Sequence, residues 1–177
     1  MAHDPHPLWR FSLDVYRRAG VQEACLALQE RHGVDVNVLM LCCWAASPGA
    51  RSLGAAELRE CMQRAERMQE TVVKPLRTVR RSLKGGIPGV GEDAAKELRQ
   101  AVLRVELEAE NIEQALLMQA LPALAQDGTP RRESALESLG RYLELLGVSP
   151  DAETHRHLAT LVGAALPNPG DPDPPGP

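Results

Sequence analysis

The chain has 177 residues, enough for one well-packed domain and too few for two comfortable ones. Hydrophobic residues make up 44% of it but aromatic ones only 3%, and Ala and Leu dominate over β-branched residues, so summed propensity favours helix over strand. A net charge of -4 argues against a general polyanion-binding surface and leaves room only for local basic patches.

The expected architecture is all-α: a single-domain helical bundle over residues 8–166, after a flexible N-terminus (1–7) and before a disordered Pro-rich tail (167–177). A first helix covers residues 8–18 and stops at Gly20, and a second covers 21–31 and stops at Gly33. The stretch "HGVDVNVLMLCCWAA" then starts a third, with Asp35 or Asn37 as its polar helix-start residue, because a short side-chain oxygen accepts a hydrogen bond from a first-turn N–H. That helix ends near Ser47, Pro48 and Gly49. From Leu58 to Leu83 apolar residues recur in steps of three and four, which predicts a long amphipathic helix. Pro75 lies inside it and predicts a kink near residues 71–75, since proline removes a backbone donor and clashes with the preceding turn.

After "GGIPGVG" the series Leu98, Val102, Val105, Ala109, Ile112, Leu116 forms a heptad-like seam, so the two long helices are expected to fold as an antiparallel hairpin. With equal rise on both arms, residue i faces about 176 minus i. Arg64 and Arg67 then oppose Glu110, Ile112 and Glu113, and Arg77 opposes Arg99. Pro122 and "AQDGTP" end the hairpin, a further helix runs over 131–146 to Gly147, and Ser149 or Asp151 caps a last one containing Leu158, Leu161, Val162 and Ala165.

Familiar chemistry is scarce. Adjacent Cys42 and Cys43 point about 100° apart on a helix, so they are expected to be buried structural thiols rather than a ligand pair. With Cys25 and Cys61 they show no paired spacing, which suits reduced thiols. The "HRH" pair diverges on a helix and no HExxH is present, so no metal site is expected. Gly86 and Gly91 have the spacing of a phosphate-binding loop, but Glu92 and Asp93 stand where Lys and Ser/Thr are needed. There is no Gly-x-Ser-x-Gly elbow. No catalytic residue and no cofactor can be named, and the balance leans away from an enzyme. The acidic residues Glu106, Glu108, Glu110 and Glu113 are expected to be a solvated face pairing with arginines.

The unusual charge feature is "KPLRTVRRSLKGG", in which Lys74, Arg77, Arg80, Arg81 and Lys84 lie in a stretch without acids between Glu70 and Glu92. Cations favour a helix C-terminus, yet Lys74 and Arg77 fall well before the last turn. Lys96 and Arg99 would add to the same end of the hairpin. These five are therefore the candidates for binding an anion or a partner. The favoured function is a non-catalytic protein-interaction module using this basic helix. The alternatives are a binding protein or enzyme for a phosphorylated or carboxylate small molecule, with polar help from Asp35 and Asn37, and nucleic-acid binding through the same helix. Sparse aromatics count against single-stranded nucleic acid, which uses stacking platforms.

The N-terminus has no basic segment followed by an apolar one, and the longest apolar run, 38–46, is far short of the roughly 20 residues that span a bilayer. A cytoplasmic protein with no membrane contact is expected. "PLWRFSLDVY", "ACLALQERHGVDVN", Trp44 and "VVKPLRTVRRSLKGG" together resemble a family of uncharacterised bacterial proteins sharing a conserved domain of unknown function. The resemblance covers roughly residues 7–120 through Trp9 and Phe11, Asp35 to Asn37, and Pro75 to Lys84. It implies no activity, cofactor or partner.

Overall fold

A computed structural model describes residues 6–47, 51–121 and 132–167. The expected N-terminal segment up to residue 5, the Pro48–Gly49 stop, the Pro122 to Pro130 connector and the tail from residue 168 lie outside the described residues. Within them the fold is an all-α bundle: α1 (Pro7–Tyr16), α2 (Val21–His32), α3 (Val36–Ala46), α4 (Ala55–Met68), α5 (Lys74–Ser82), α6 (Glu92–Gln119), α7 (Arg132–Leu145) and α8 (Ala152–Ala165).

The start of α1 is one residue earlier than the apolar pattern alone indicates. Proline tolerates the first helical position because that N–H would have no partner, and the His6 imidazole accepts the Trp9 N–H at 3.2 Å. Gly33 closes α2 at φ +66°, a left-handed conformation that a Cβ would strain. Asp35 caps α3 by accepting the Asn37 N–H at 2.9 Å, and Asp151 caps α8 by accepting the Thr154 N–H at 2.9 Å.

The α3 helix is the central post of the bundle and packs against α1, α6, α7 and α8. Every residue from Asn37 to Cys43 is buried, together with Ala45 and Ala46, so this helix is apolar almost all round. Around it Leu8, Leu28, Leu58, Leu117, Leu139, Leu143 and Leu161 complete one core. The vicinal cysteines are thus core residues, as are Cys25 and Cys61. Burial pushes the Cys25 and Cys61 thiols up to about 12, and Cys42 and Cys43 are raised by the same cause. Since the thiolate is the reacting form, Cys42 and Cys43 are expected to react with a thiol reagent at least about a hundredfold more slowly in the folded protein than in urea. Fast labelling of both without denaturant would show that α3 opens.

Between α4 and α5 the chain forms a π-helical turn, Gln69–Val73, so α4 and α5 continue as one long rod. Pro75 explains the position: its missing N–H and its ring disrupt the bond pattern of the preceding turn, and the Lys74 N–H reaches back to Gln69 O instead. The expected local distortion is therefore a widened turn. This rod and α6 form the antiparallel hairpin, closed by a short 3-10 turn, Leu83–Gly85, and by residues 86–91.

The hairpin register differs from equal-rise pairing. Arg77 meets Glu106 and Glu110 rather than Arg99, and Gln69 meets Glu113. The Arg77–Glu106 and Gln69–Glu113 pairs both lie about six or seven residues further along α6 than equal rise about Pro88 predicts, the same offset on either side of the π turn, so the hairpin turns about three residues later than Pro88. The heptad-like seam is only partly inward: Ala109 is buried and Val102 and Leu116 are half-buried, whereas Leu98, Val105 and Ile112 are 48%, 56% and 40% exposed and Glu106, Glu113, Gln114 and Leu117 are buried instead.

Candidate functional site

The inward face of α6 makes the interior of this bundle ionic where α5 crosses it. Arg77 donates from Nε to Glu106 at 3.2 Å and from Nη2 to Glu110 at 2.5 Å, and Arg80 donates from Nε and Nη2 to Glu106 at 2.5 and 3.1 Å. The Glu106 side chain is only 4% exposed, and those of Arg77 and Glu110 are each 17% exposed. Burial opposes the charge on Arg77, but Glu110 and Glu106 outweigh it and raise its pKa. For Glu110 burial prevails over Arg77, and its carboxyl is raised.

One helical turn away a second polar group continues the network. Glu113 is fully buried; its Oε2 accepts the Gln69 Nε2–H at 2.7 Å, and its Oε1 accepts no hydrogen bond. The widened π turn carries Gln69 into this position. Burial, and after it the negative charge of Asp35, push the Glu113 carboxyl up to about 9, so Glu113 holds a proton at neutral pH. Tyr142 borders Asp35, its Oη accepting the Asp35 backbone N–H at 2.8 Å. Beside them Gln114 Nε2 donates to Asn37 Oδ1 at 2.8 Å and approaches Ser12 Oγ at 3.1 Å.

Two openings reach this network. A cleft of about 740 Å³ between α2, α4, α5 and α7 is lined by Asp35, Gln69, Lys74, Arg77, Arg81 and Tyr142, with Met62, Val38 and Leu146 among its apolar residues. A smaller groove of about 360 Å³ lies on the far side, lined by Trp9, Leu13, Leu26, Leu103 and Leu107 over the Arg77–Glu110 and Arg80–Glu106 pairs. Arg77 and Arg81 border both.

The basic residues singled out by their spacing are thereby divided. Arg77 and Arg80 are ion-paired inside the hairpin, and Lys74 pairs with Glu70 on the surface. Arg81 and Lys84 are exposed and have no partner among the described residues. At the hairpin end Lys96 is exposed, whereas Arg99 is half-buried with its Nε unpartnered. Asp35 is both cap and cleft residue, whereas Asn37 sits buried in the first turn of α3 as an acceptor for Gln114 and caps nothing. The expected solvated acidic face holds only for Glu108; Glu106 and Glu113 are buried and Glu110 nearly so. Glu113, Gln69 and Tyr142 are members of the site that sequence reasoning did not assign to it. Glu106, Glu110, Glu113 and Leu117 do follow helical steps of four, three and four, so an acidic stripe in phase with a core residue was the available signal.

Among the described residues no group of three or more His, Cys, Asp or Glu is arranged to hold a metal ion, and no helix is long and apolar enough to cross a membrane. The molecule is thus an all-α bundle with an ionic interior that opens onto a large cleft. Residues 7–117 match the family of proteins of unknown function called DUF2390, and the chain belongs to that family. No curated protein and no solved structure matches it. The matched stretch includes every residue of the ionic network and ends before α7, which brings Tyr142 to the cleft.

Proposed function

We propose that this protein binds a small phosphorylated or carboxylate molecule in the cleft between α2, α4, α5 and α7. The observation that supports the reading is a cleft in which four cations, Arg59, Lys74, Arg77 and Arg81, line the walls with Glu30, Glu66 and Glu70 over a polar floor made by Asp35, Gln69 and Tyr142. The volume of about 740 Å³ suits an organic ligand. Of the four cations Arg59 and Arg81 are exposed and available to a ligand, since Arg77 and Lys74 already serve carboxylates. A guanidinium is matched to the two oxygens of a phosphate or carboxylate.

The test is a panel of alkyl phosphates and alkanoates scored by thermal shift and titration calorimetry. Ligands that bind the folded state raise the melting temperature with concentration. Arg81→Gln should weaken the best of them by about tenfold or more while leaving the melting temperature of the free protein within error, because an exposed unpaired arginine adds little to folding. A panel in which nothing binds at millimolar concentration would overturn the proposal.

A second reading, a protein-interaction surface, is favoured by one observation: Leu98, Val105 and Ile112 form an exposed heptad stripe on the outer face of α6, with Arg81 and Lys84 exposed at the same end of the hairpin. Changing the three apolar residues to Ser should leave stability nearly intact and abolish cross-linking to a partner. Unchanged cross-linking in that variant would remove this reading.

A further inference from the structure

The face of α6 turned away from the ionic interior carries a second apolar series. Ala94, Leu98, Ala101, Val105, Glu108, Ile112 and Ala115 follow one another in steps of four and three, the spacing of a coiled-coil seam, over about 32 Å of helix. Leu98, Val105 and Ile112 are among the large apolar side chains that the fold leaves exposed. The neighbouring elements reach α6 elsewhere. The α4–α5 rod meets it through Glu106, Glu110, Glu113 and Leu117, and α1 and α3 meet it through Gln114. Glu108 is the one charged member of the outward seam, and Arg104 stands on the same side of the helix one turn earlier. Both are exposed, and they pair neither with each other nor with any other described residue.

We propose that this face is the contact between two copies of the chain, whose α6 helices pair antiparallel about a two-fold axis. Such an interface brings one patch against itself, so the seam must be complementary to its own reverse. With Leu98 placed opposite Ala115 of the second copy, Ala101 lies opposite Ile112 and Val105 opposite Glu108. Leu98 and Ile112 thus each face an alanine, and large and small side chains interdigitate. At the centre the Glu108 stem packs on Val105, and its carboxylate lies within about 1.5 Å of the level of Arg104 of the second copy. The two-fold axis makes that ion pair twice, and it gives a partner to both charges left unpaired within one chain. A parallel pair in register fails on the same residues, because it stacks Glu108 on Glu108 and leaves the alanine layers hollow. A different protein's helix would place no such demand on the seam, whereas a second copy requires the match that the seam shows.

This assignment rests on the outer face of α6 being an interaction surface, and the experiment separates the two. Sedimentation equilibrium of the full chain at about 10–100 μM should give a mass rising towards twice 19.3 kDa. Glu108→Arg sets arginine against arginine and is expected to weaken association at least about tenfold, while Arg104→Glu combined with Glu108→Arg restores it with the signs exchanged. Both positions are exposed, so the variants should fold, as circular dichroism checks. Orientation is read by disulfide cross-linking, since the four native cysteines are buried. Ala101→Cys and Ile112→Cys, on copies carrying tags of different size, should link to each other and not to themselves. A native chain that stays at 19.3 kDa throughout that range would overturn self-pairing. If changing Leu98, Val105 and Ile112 to Ser then still abolishes cross-linking to another protein, the surface reading stands; if not, both fall. Association indifferent to Glu108→Arg, or either cysteine variant linking to itself, would also overturn the proposal, by placing the contact on another face or in the parallel sense.

Discussion

Arg77→Ala is expected to destabilise the protein by about 3–5 kcal/mol, the range for removing one partner of a buried ion pair. Its side chain bridges Glu106 and Glu110, and without it Glu110 keeps no guanidinium while Glu106 keeps only Arg80. The cost comes from the carboxylates left behind in a buried setting rather than from the bond itself. Urea denaturation checks the figure, and two further variants check the cause. Arg77→Met with Glu110→Gln should recover much of the loss, because Glu106 keeps Arg80 and a neutral amide at 110 does not need a buried cation. Arg81→Gln should change stability by less than about 0.5 kcal/mol, although it is only four residues away, because Arg81 is exposed and unpaired among the described residues. Equal, small effects at both positions would show that the Arg77 pairs are solvated. A triple change of Arg77, Arg80 and Arg81 is therefore a test of the fold as much as of binding, contrary to what spacing along the basic helix implies.

The parts of this structure that were legible in the sequence are those that local rules dictate. Asp35 before an apolar run, Gly33 after an amphipathic one and Pro75 inside a long one each act within a turn or two of the chain, and each appears where such rules put it. The apolar density of α3 required burial on every side, whatever it packed against. The site was less legible because its logic crosses the hairpin. On α6 three of the seam residues, Leu98, Val105 and Ile112, lie on the outer face, and the inner face mixes Ala109 and Leu117 with Glu106, Glu113 and Gln114. A rule that turns apolar residues inward misplaces the outer three and the buried acids alike. What decides the orientation is Arg77 on the other arm, whose guanidinium makes burial of Glu106 and Glu110 tolerable, and which acids meet which bases depends on where the hairpin turns. Glu113 shows the same limit more sharply. Its phase with Glu106, Glu110 and Leu117 is the one local mark of its burial, and its partner Gln69 is distant in the chain.

The largest pH effect is expected from Glu113→Gln. The Glu113 carboxyl is raised from an ordinary 4.5 to about 9, first by burial and then by Asp35, whose charge and hydrogen bond both favour the protonated form. Between those values the folded protein holds a proton that the unfolded chain has given up. Stability is therefore complete below about pH 4.5 and is lost as pH rises towards about 9, by up to ~1.4 kcal/mol per pH unit. Glutamine cannot titrate, so the variant lacks this slope. The two proteins should be similar near pH 5, and the variant should be the more stable by several kcal/mol near pH 9, as measured by urea denaturation across that range. Asp35→Asn divides the cause. Asparagine still caps α3, while the negative neighbour is gone, so the slope should shift to lower pH without vanishing, the remainder being burial. Parallel stability profiles for the native protein and Glu113→Gln would mean that Glu113 titrates like a surface carboxylate and that water reaches it in the folded state.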